Sequence, residues 1–151
     1  MSESSAGSRS RSSTRSARSM AFAFLGFSAI TLSAHDAATL DAIPSAHGGQ
    51  VRMIGPYHVE LVLERNVART RKPIWIFLQD HMFQPMPTVG LTATITIDEG
   101  SSSSAVTLRP DRPDSLFGIG AYSDGPTLSA IVSIRDQAGQ AYTVTFTPFN
   151  R

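Results

Sequence analysis

The sequence contains no cysteine, and this absence removes several kinds of chemistry at once. A disulfide framework, a thiolate metal site and a cysteine nucleophile all need the thiol side chain. Charged residues are also few, at 17% against 41% hydrophobic residues, which is a balance typical of a globular domain. The stability of the fold must therefore come from the burial of apolar side chains.

Common catalytic and nucleic-acid-binding signatures are missing as well. The sequence has no G-x-S-x-G motif, no glycine-rich phosphate loop, no H-E-x-x-H motif and no paired-carboxylate motif. Four arginines and one acidic residue lie in the first nineteen residues, so the formal net charge of +1 hides a slightly acidic body. That body has no basic patch with interleaved aromatic residues. We therefore predict a protein that is not an enzyme and does not bind nucleic acid.

An apolar run near the N-terminus has the pattern of an export signal. A serine- and arginine-rich start precedes Met20 to Leu32, which is uncharged and too short to span a bilayer comfortably. We predict a signal peptide over residues 1–34 with cleavage after Ala34, and cleavage after Ser33 is an alternative. An uncleaved membrane anchor and a translation start at Met20 are the other interpretations. After signal removal, the mature protein would be periplasmic or otherwise extracytoplasmic, without a membrane span.

The residues between this signal and the first strand show no sustained period. Residues 35–49 contain a proline and the pair Gly48 and Gly49, which predicts a flexible N-terminal arm that leads into a turn. If His35 becomes the mature N-terminus, its free amine and imidazole form a pair suited to copper. A solvated histidine in a frayed terminus is the simpler interpretation.

From residue 50 onward, apolar residues alternate with polar ones in one segment after another. Every second residue is apolar in the clearest segments, which are Tyr57 to Leu63, Leu91 to Asp98 and Thr127 to Asp136. Ile74 to Gln79 is apolar on both faces and is predicted to lie near the centre of a sheet. Turn residues follow about every 8 to 12 positions, and nothing after residue 35 has a helical period.

About seven to eight strands of this kind predict an all-β domain over residues 50–151. The expected arrangement is an antiparallel two-sheet sandwich of the immunoglobulin-like type, and a small closed β-barrel is the alternative. In both arrangements the alternation in the second strand directs Val59 and Leu61 toward the core. The same alternation leaves His58 on the outer face, at the surface beside Glu60 and Glu64.

Three short motifs cover much of the first half of this domain. They are HGGQV at 47–51, GPYHVELVLE at 55–64, and the end of a hydrophobic strand, LQDH, at 78–81. Together with the threonine-rich strand and final hairpin, they resemble a group of small exported bacterial proteins of unknown function that occur near heavy-metal efflux components. The resemblance implies an exported β-domain with an efflux or envelope protein as its partner. The chain differs in its longer, more basic loop Arg65 to Lys72 and in the PMP at 85–87.

The histidines and methionines of these motifs form a candidate metal site. Imidazole suits copper, zinc or nickel and thioether favours cuprous ion, so a mixed set in an exported chain without cysteine fits copper handling. The Gly-Gly turn would bring His47 beside the start of the strand that carries His58. Antiparallel pairing would bring His81, at the exit of the next strand, to the same end of the sheet.

The fourth ligand would decide which metal the site prefers. With Met53 or Met82 the site would favour cuprous copper, whereas with Asp80 or water it would accept zinc. The simpler interpretations are that the methionines fill the core and that Asp80 bonds to the turn it begins. The sequence thus predicts an exported copper- or zinc-binding accessory protein linked to heavy-metal efflux. The alternative is a non-catalytic module that docks on an envelope partner through exposed strand edges, with incidental histidines.

Overall fold

A computed structural model describes residues 36–67 and 69–150 of the chain. The predicted signal peptide and His35 lie outside the described residues. The described part folds into one short helix followed by eight strands. Their bounds are α1 Ala37–Ala42, β1 Gln50–Ile54, β2 Tyr57–Leu63, β3 Lys72–Gln79, β4 Thr92–Asp98, β5 Ser103–Arg112, β6 Ser115–Gly120, β7 Ser129–Arg135 and β8 Ala141–Phe146.

All eight strands join one antiparallel sheet in the order β1-β2-β3-β6-β5-β4-β7-β8. The long strand β5 links its two halves, because Ser103 to Leu108 pair with β4 whereas Arg109 to Arg112 pair with β6. The predicted all-β antiparallel class is therefore confirmed. The sheet is nearly closed, as in the barrel alternative, and a two-sheet sandwich is not confirmed.

Side chains, rather than a ladder of backbone hydrogen bonds, connect the first and last strands. The Gln50 Oε1 atom accepts a hydrogen bond from the backbone N–H of Thr147 at 2.8 Å, just beyond the end of β8. At the other end of β1, Gly55 has a φ of 56°, and a Cβ atom added there would lie 2.5 Å from Cδ1 of Tyr142. The turn into β2 therefore needs glycine both for its backbone conformation and for the close approach of the tyrosine ring.

The segment predicted as a flexible arm begins with α1 and lies against the edge strand β1. Asp36 caps the helix, and its Oδ1 accepts a hydrogen bond from the backbone N–H of Thr39 at 2.7 Å. Leu40 is buried, and the Asp41 carboxylate binds the Arg52 guanidinium through contacts of 2.7 and 2.9 Å. A helix beside an edge strand limits pairing with other chains. No helix within residues 36–67 and 69–150 is long and apolar enough to cross a membrane.

The inner face of the sheet holds a single apolar core. The alternation predicted for β2 and β4 is confirmed, since Val59, Leu61 and Ile95 have no exposed surface. Each of the eight strands contributes at least one buried residue to this core. Its buried members are Ile54, Val59, Leu61, Leu63, Ile74, Ile76, Leu78, Leu91, Ala93, Ile95, Ile97, Leu108, Leu116, Tyr122, Leu128, Ala130, Val132, Ile134 and Phe146.

Thr88 fastens the loop after β3 to the turn between β5 and β6. Its Oγ1 is fully buried and lies 3.1, 3.3 and 3.2 Å from the carbonyl oxygens of Arg112, Pro113 and Ser115. We expect Thr88→Val to lower the free energy of unfolding by about 1–2 kcal/mol, because the nearly isosteric side chain cannot donate a hydrogen bond. Urea denaturation measures this, and the same change at exposed Thr94 is the control. Equal losses at the two positions would contradict the prediction.

Candidate functional site

The outer face of β1, β2 and β3 brings two of the predicted histidines into one region, which we call the histidine face. It consists of His58 and Glu60 on β2, the residues opposite them on β1 and β3, and His47 in the turn before β1. The prediction that His58 lies at the surface is wrong, because only 1% of His58 and none of Glu60 is exposed. The residues opposite are Met53 and Gln79 for His58, and Val51 and Phe77 for Glu60.

The turn before β1 covers part of this face and binds the buried Glu60. The backbone N–H groups of His47 and Gly49 donate to Glu60 Oε1 at 2.9 and 2.8 Å. The His47 Nδ1 atom lies 3.0 Å from Oε2 of the same carboxylate. The imidazole also stacks on the Phe77 ring, with the two centroids 3.6 Å apart. One buried carboxylate therefore fixes both the turn and the orientation of the His47 ring.

The loop after β3 covers the neighbouring part of the face and holds His58. The His58 Nδ1 atom lies 2.9 Å from the backbone carbonyl oxygen of Asp80. Because a carbonyl oxygen only accepts, Nδ1 must carry the proton. Phe83, which has a φ of 59°, stacks on the imidazole with 4.3 Å between the ring centroids. The His58 ring is thus fixed between the strand and this loop.

Both imidazoles are held in the same tautomer. In each ring Nδ1 faces an oxygen acceptor, which is the Glu60 carboxylate for His47 and the Asp80 carbonyl for His58. The neutral form of each ring then has its lone pair on Nε2. Metal-binding histidines usually have this arrangement, in which the second ring nitrogen donates to a carboxylate or a backbone carbonyl. Nδ1 of both rings is thus directed to an oxygen acceptor, and Nε2 is the ring nitrogen that a metal ion would bind.

Asp80 stabilises the loop by accepting hydrogen bonds from its backbone. Its Oδ1 accepts from the N–H groups of Met82 and Gln84 at 2.7 and 3.0 Å. The bond from Gln84 is the main cause that holds the pKa of Asp80 below its ordinary value, and the bond from Met82 acts in the same direction. His81 is exposed and Met82 is 66% exposed on this loop. The observed bonds match the simpler interpretation, in which Asp80 forms the turn it begins.

The three predicted histidines do not form one cluster. Within residues 36–67 and 69–150, no group of three or more His, Asp or Glu side chains is placed to hold a metal ion. That set excludes thioethers, and Met53 lies directly opposite His58 on the same face. Directly opposed residues of an antiparallel pair have Cβ atoms about 4.5–5.5 Å apart. The structure thus brings His58, Met53 and His47 to one face, with His81 and Met82 exposed on the adjoining loop.

A cavity of about 230 Å³ lies at the histidine face, between the turn before β1 and the loop after β3. Val51 and Gln79 on its wall are the cross-strand partners of Glu60 and His58, and Phe83 is the ring that stacks on His58. The other lining residues are Ile43, Pro44, Ser45 and Ala46. The cavity therefore lies beside the two imidazoles, and neither His47 nor His58 lines it.

Glu60 and the two phenylalanines were not among the predicted site residues. Glu60 occurs in the motif GPYHVELVLE, but its alternation assigned it to a solvated outer face. Phe77 and Phe83 carry no signal in the sequence that pairs either ring with a histidine. No family model matches the chain, and no curated protein matches it. The resemblance to exported proteins near efflux components stays a prediction.

Proposed function

We propose that the protein is an exported metal-binding protein that holds a cuprous ion at the histidine face, as an accessory to heavy-metal efflux. The observation that carries the metal proposal is the anchoring of His47 and His58 through Nδ1, which sets the tautomer that a metal needs. Export is supported by the N-terminal apolar run of the sequence. The link to efflux is supported by the resemblance described above.

The proposed ligands are the Nε2 atoms of His47 and His58 and the thioether of Met53. His58 and Met53 are direct cross-strand neighbours, and His47 binds Glu60, which lies two residues beyond His58 on the same face of β2. A set of two imidazoles and one thioether suits cuprous copper, which accepts soft ligands. When bound, the cuprous ion would be a soft Lewis acid held by exchangeable ligands. Such an ion can be passed to another carrier.

Zinc fits this region less well than cuprous copper. Structural zinc sites have four ligands, usually thiolates and imidazoles with occasional carboxylates. The chain has no thiolate, and the Glu60 and Asp80 carboxylates already accept hydrogen bonds from His47, Gly49, Met82 and Gln84. The described residues therefore offer a softer and smaller ligand set than zinc normally uses.

A competition titration against a chromophoric cuprous chelator tests the proposal. We expect stoichiometric uptake of one cuprous ion by the wild-type protein. We also expect His58→Ala and Met53→Leu each to weaken binding by at least about tenfold. Loss of a residue that only hydrogen-bonds to a metal ligand already weakens affinity by about tenfold or more, and loss of a ligand should cost at least as much. Met53→Leu keeps the side-chain volume, so its effect does not depend on a disturbed fold. Circular dichroism confirms that each variant is folded.

His81→Ala is the matched control, because it removes an exposed imidazole from the adjoining loop. We expect this variant to bind cuprous ion like the wild type. Absence of stoichiometric uptake by the wild-type protein would contradict the proposal, and the non-catalytic interaction module would then replace it. Unchanged binding in His58→Ala and Met53→Leu would show that the copper binds elsewhere.

A further inference from the structure

The first part of the loop after β3, residues 80–84, covers the buried His58, and we call it the cover loop. Only 1% of His58 is exposed, so an ion from solvent reaches its ring only after a covering group has moved. Phe83 stacks on the imidazole with 4.3 Å between the ring centroids and 5° between the ring planes. Phe83 lies outside the strands, so its ring can leave His58 without disturbing the pairing of β1, β2 and β3.

The backbone carbonyl of Asp80 connects the cover loop to the imidazole. Its oxygen accepts a hydrogen bond from the backbone N–H of Phe83 at 3.0 Å and lies 2.9 Å from Nδ1 of His58. The base of the loop is closed by a bond from the Asp80 N–H to the carbonyl oxygen of Gln84, at 2.9 Å. One carbonyl oxygen therefore holds both the imidazole and the residue that covers it.

The backbone of Phe83 has a left-handed conformation, with a φ of 59°. This conformation is unfavourable for a bulky residue that carries a Cβ atom. Within residues 36–67 and 69–150, the other non-glycine residue with a positive φ is Asn66, and asparagine tolerates this conformation better. Such backbone strain occurs often at ligand clamps and switch regions. A return of Phe83 to negative φ would redirect its side chain and remove the ring from His58.

The outer side of the cover loop presents two side chains that suit a cuprous ion. His81 is exposed, and Met82 is 66% exposed. A thioether with so much exposed surface contributes little to packing. Imidazole and thioether are both ligands for cuprous copper, and here they directly precede Phe83 in the chain. The group that covers His58 and two possible surface ligands therefore belong to the same short loop.

We infer that the cover loop is the entry path of the proposed copper site. His81 and Met82 capture the cuprous ion at the surface, Phe83 then turns away, and the ion passes to the ligands beneath, among them His58. This inference rests on the proposed function and adds the residues that control how fast the site exchanges its ion. Entry ligands accelerate uptake and release alike, so their loss changes both rates and leaves the equilibrium affinity unchanged.

Stopped-flow transfer of cuprous ion from a chromophoric chelator to the metal-free, full-length protein tests the capture step. We expect the double variant His81→Ala/Met82→Leu to take up the ion about tenfold or more slowly, because a surface ligand raises the local concentration of the ion beside the site. Its affinity at equilibrium should equal that of the wild type. Met86→Leu is the matched control, because this nearby thioether packs against the core, and we expect it to leave the rate unchanged.

Phe83→Gly tests the opening step, since glycine adopts positive φ readily and lacks the ring. Diethyl pyrocarbonate modifies accessible neutral imidazoles, so mass spectrometry can follow its reaction with His58 in the metal-free protein. We expect this reaction to be about tenfold or more faster in the variant, because a minor open state is typically populated at about 0.1–10%. Copper uptake should accelerate as well. Asn66→Gly, the same change at the other positive φ, is the control and should alter neither rate.

The outcomes separate this inference from the proposed function. An unchanged uptake rate in His81→Ala/Met82→Leu, or unchanged reactivity of His58 in Phe83→Gly, would overturn the entry path while a normal affinity leaves the proposed function intact. Equal acceleration in Asn66→Gly would show a general loosening of the fold and would also overturn it. Absence of cuprous ion uptake by the wild-type protein would overturn both.

Discussion

Replacing Glu60 with alanine is expected to lower the free energy of unfolding by about 3–5 kcal/mol, because several donors lose a buried carboxylate acceptor at once. The carboxylate has no exposed surface, and it accepts hydrogen bonds from the backbone N–H groups of His47 and Gly49 and from the His47 ring. Its removal leaves these donors without their acceptor in a partly buried position, and a donor buried without an acceptor is costly. Guanidinium chloride denaturation measures the loss.

Glu64→Ala provides the control for this prediction. Glu64 follows β2 directly and also forms an ion pair, with Arg69 at 3.0 Å, but 27% of its side chain and 56% of that of Arg69 are exposed. Exposed pairs of this kind contribute about 0–1 kcal/mol. A similar loss of stability in Glu60→Ala and Glu64→Ala would show that the turn before β1 does not depend on the buried carboxylate.

The second large effect is expected in the core. Leu61 and Ile95 have no exposed surface and lie on β2 and β4, in different parts of the sheet. We expect Leu61→Ala and Ile95→Ala each to lower the free energy of unfolding by about 2–5 kcal/mol, because each change removes buried apolar atoms and leaves a cavity. Thermal or chemical denaturation of the folded variants measures this. A loss well under about 1 kcal/mol in either variant would contradict the assigned inner face.

The alternation of apolar residues predicted which side of each strand faces the core. Val59 and Leu61 follow this pattern, since local sequence alone determines which side chains share a face. The pattern could not show that the opposite face is also covered. His58 and Glu60 are buried there because His47 and Phe83, at distant positions in the sequence, stack or bond on that face.

The arrangement of the strands was less accessible to prediction than their number. The strand β5 runs from Ser103 to Arg112 and passes through Pro110, although proline lacks a backbone N–H group and is rare inside a strand. Its two halves pair with different neighbours, β4 and β6, and this joins the strands into one nearly closed sheet. Alternation contains no information on which strand lies beside which, so both the sandwich and the barrel were consistent with it.

The candidate site was predicted in part. The Gly-Gly turn does bring His47 to the strand that carries His58, through the bonds to Glu60. His81 stays exposed because Asp80 turns the chain immediately after β3, with its side chain bonded to the backbone of Met82 and Gln84. The end of β3 lies beside the start of β2, as antiparallel pairing requires. This proximity did not determine whether the His81 side chain, in the loop after β3, points to the histidine face or to solvent.

X-ray absorption spectroscopy of the protein loaded with one equivalent of cuprous ion tests the central proposal most directly, since it reports the atoms bound to the metal. We predict nitrogen ligands from His47 and His58 together with a sulfur ligand from Met53, and loss of the sulfur signal in Met53→Leu while His81→Ala leaves the spectrum unchanged. A spectrum without sulfur in the wild-type protein, or a sulfur signal that persists in Met53→Leu, would contradict a copper site at the histidine face.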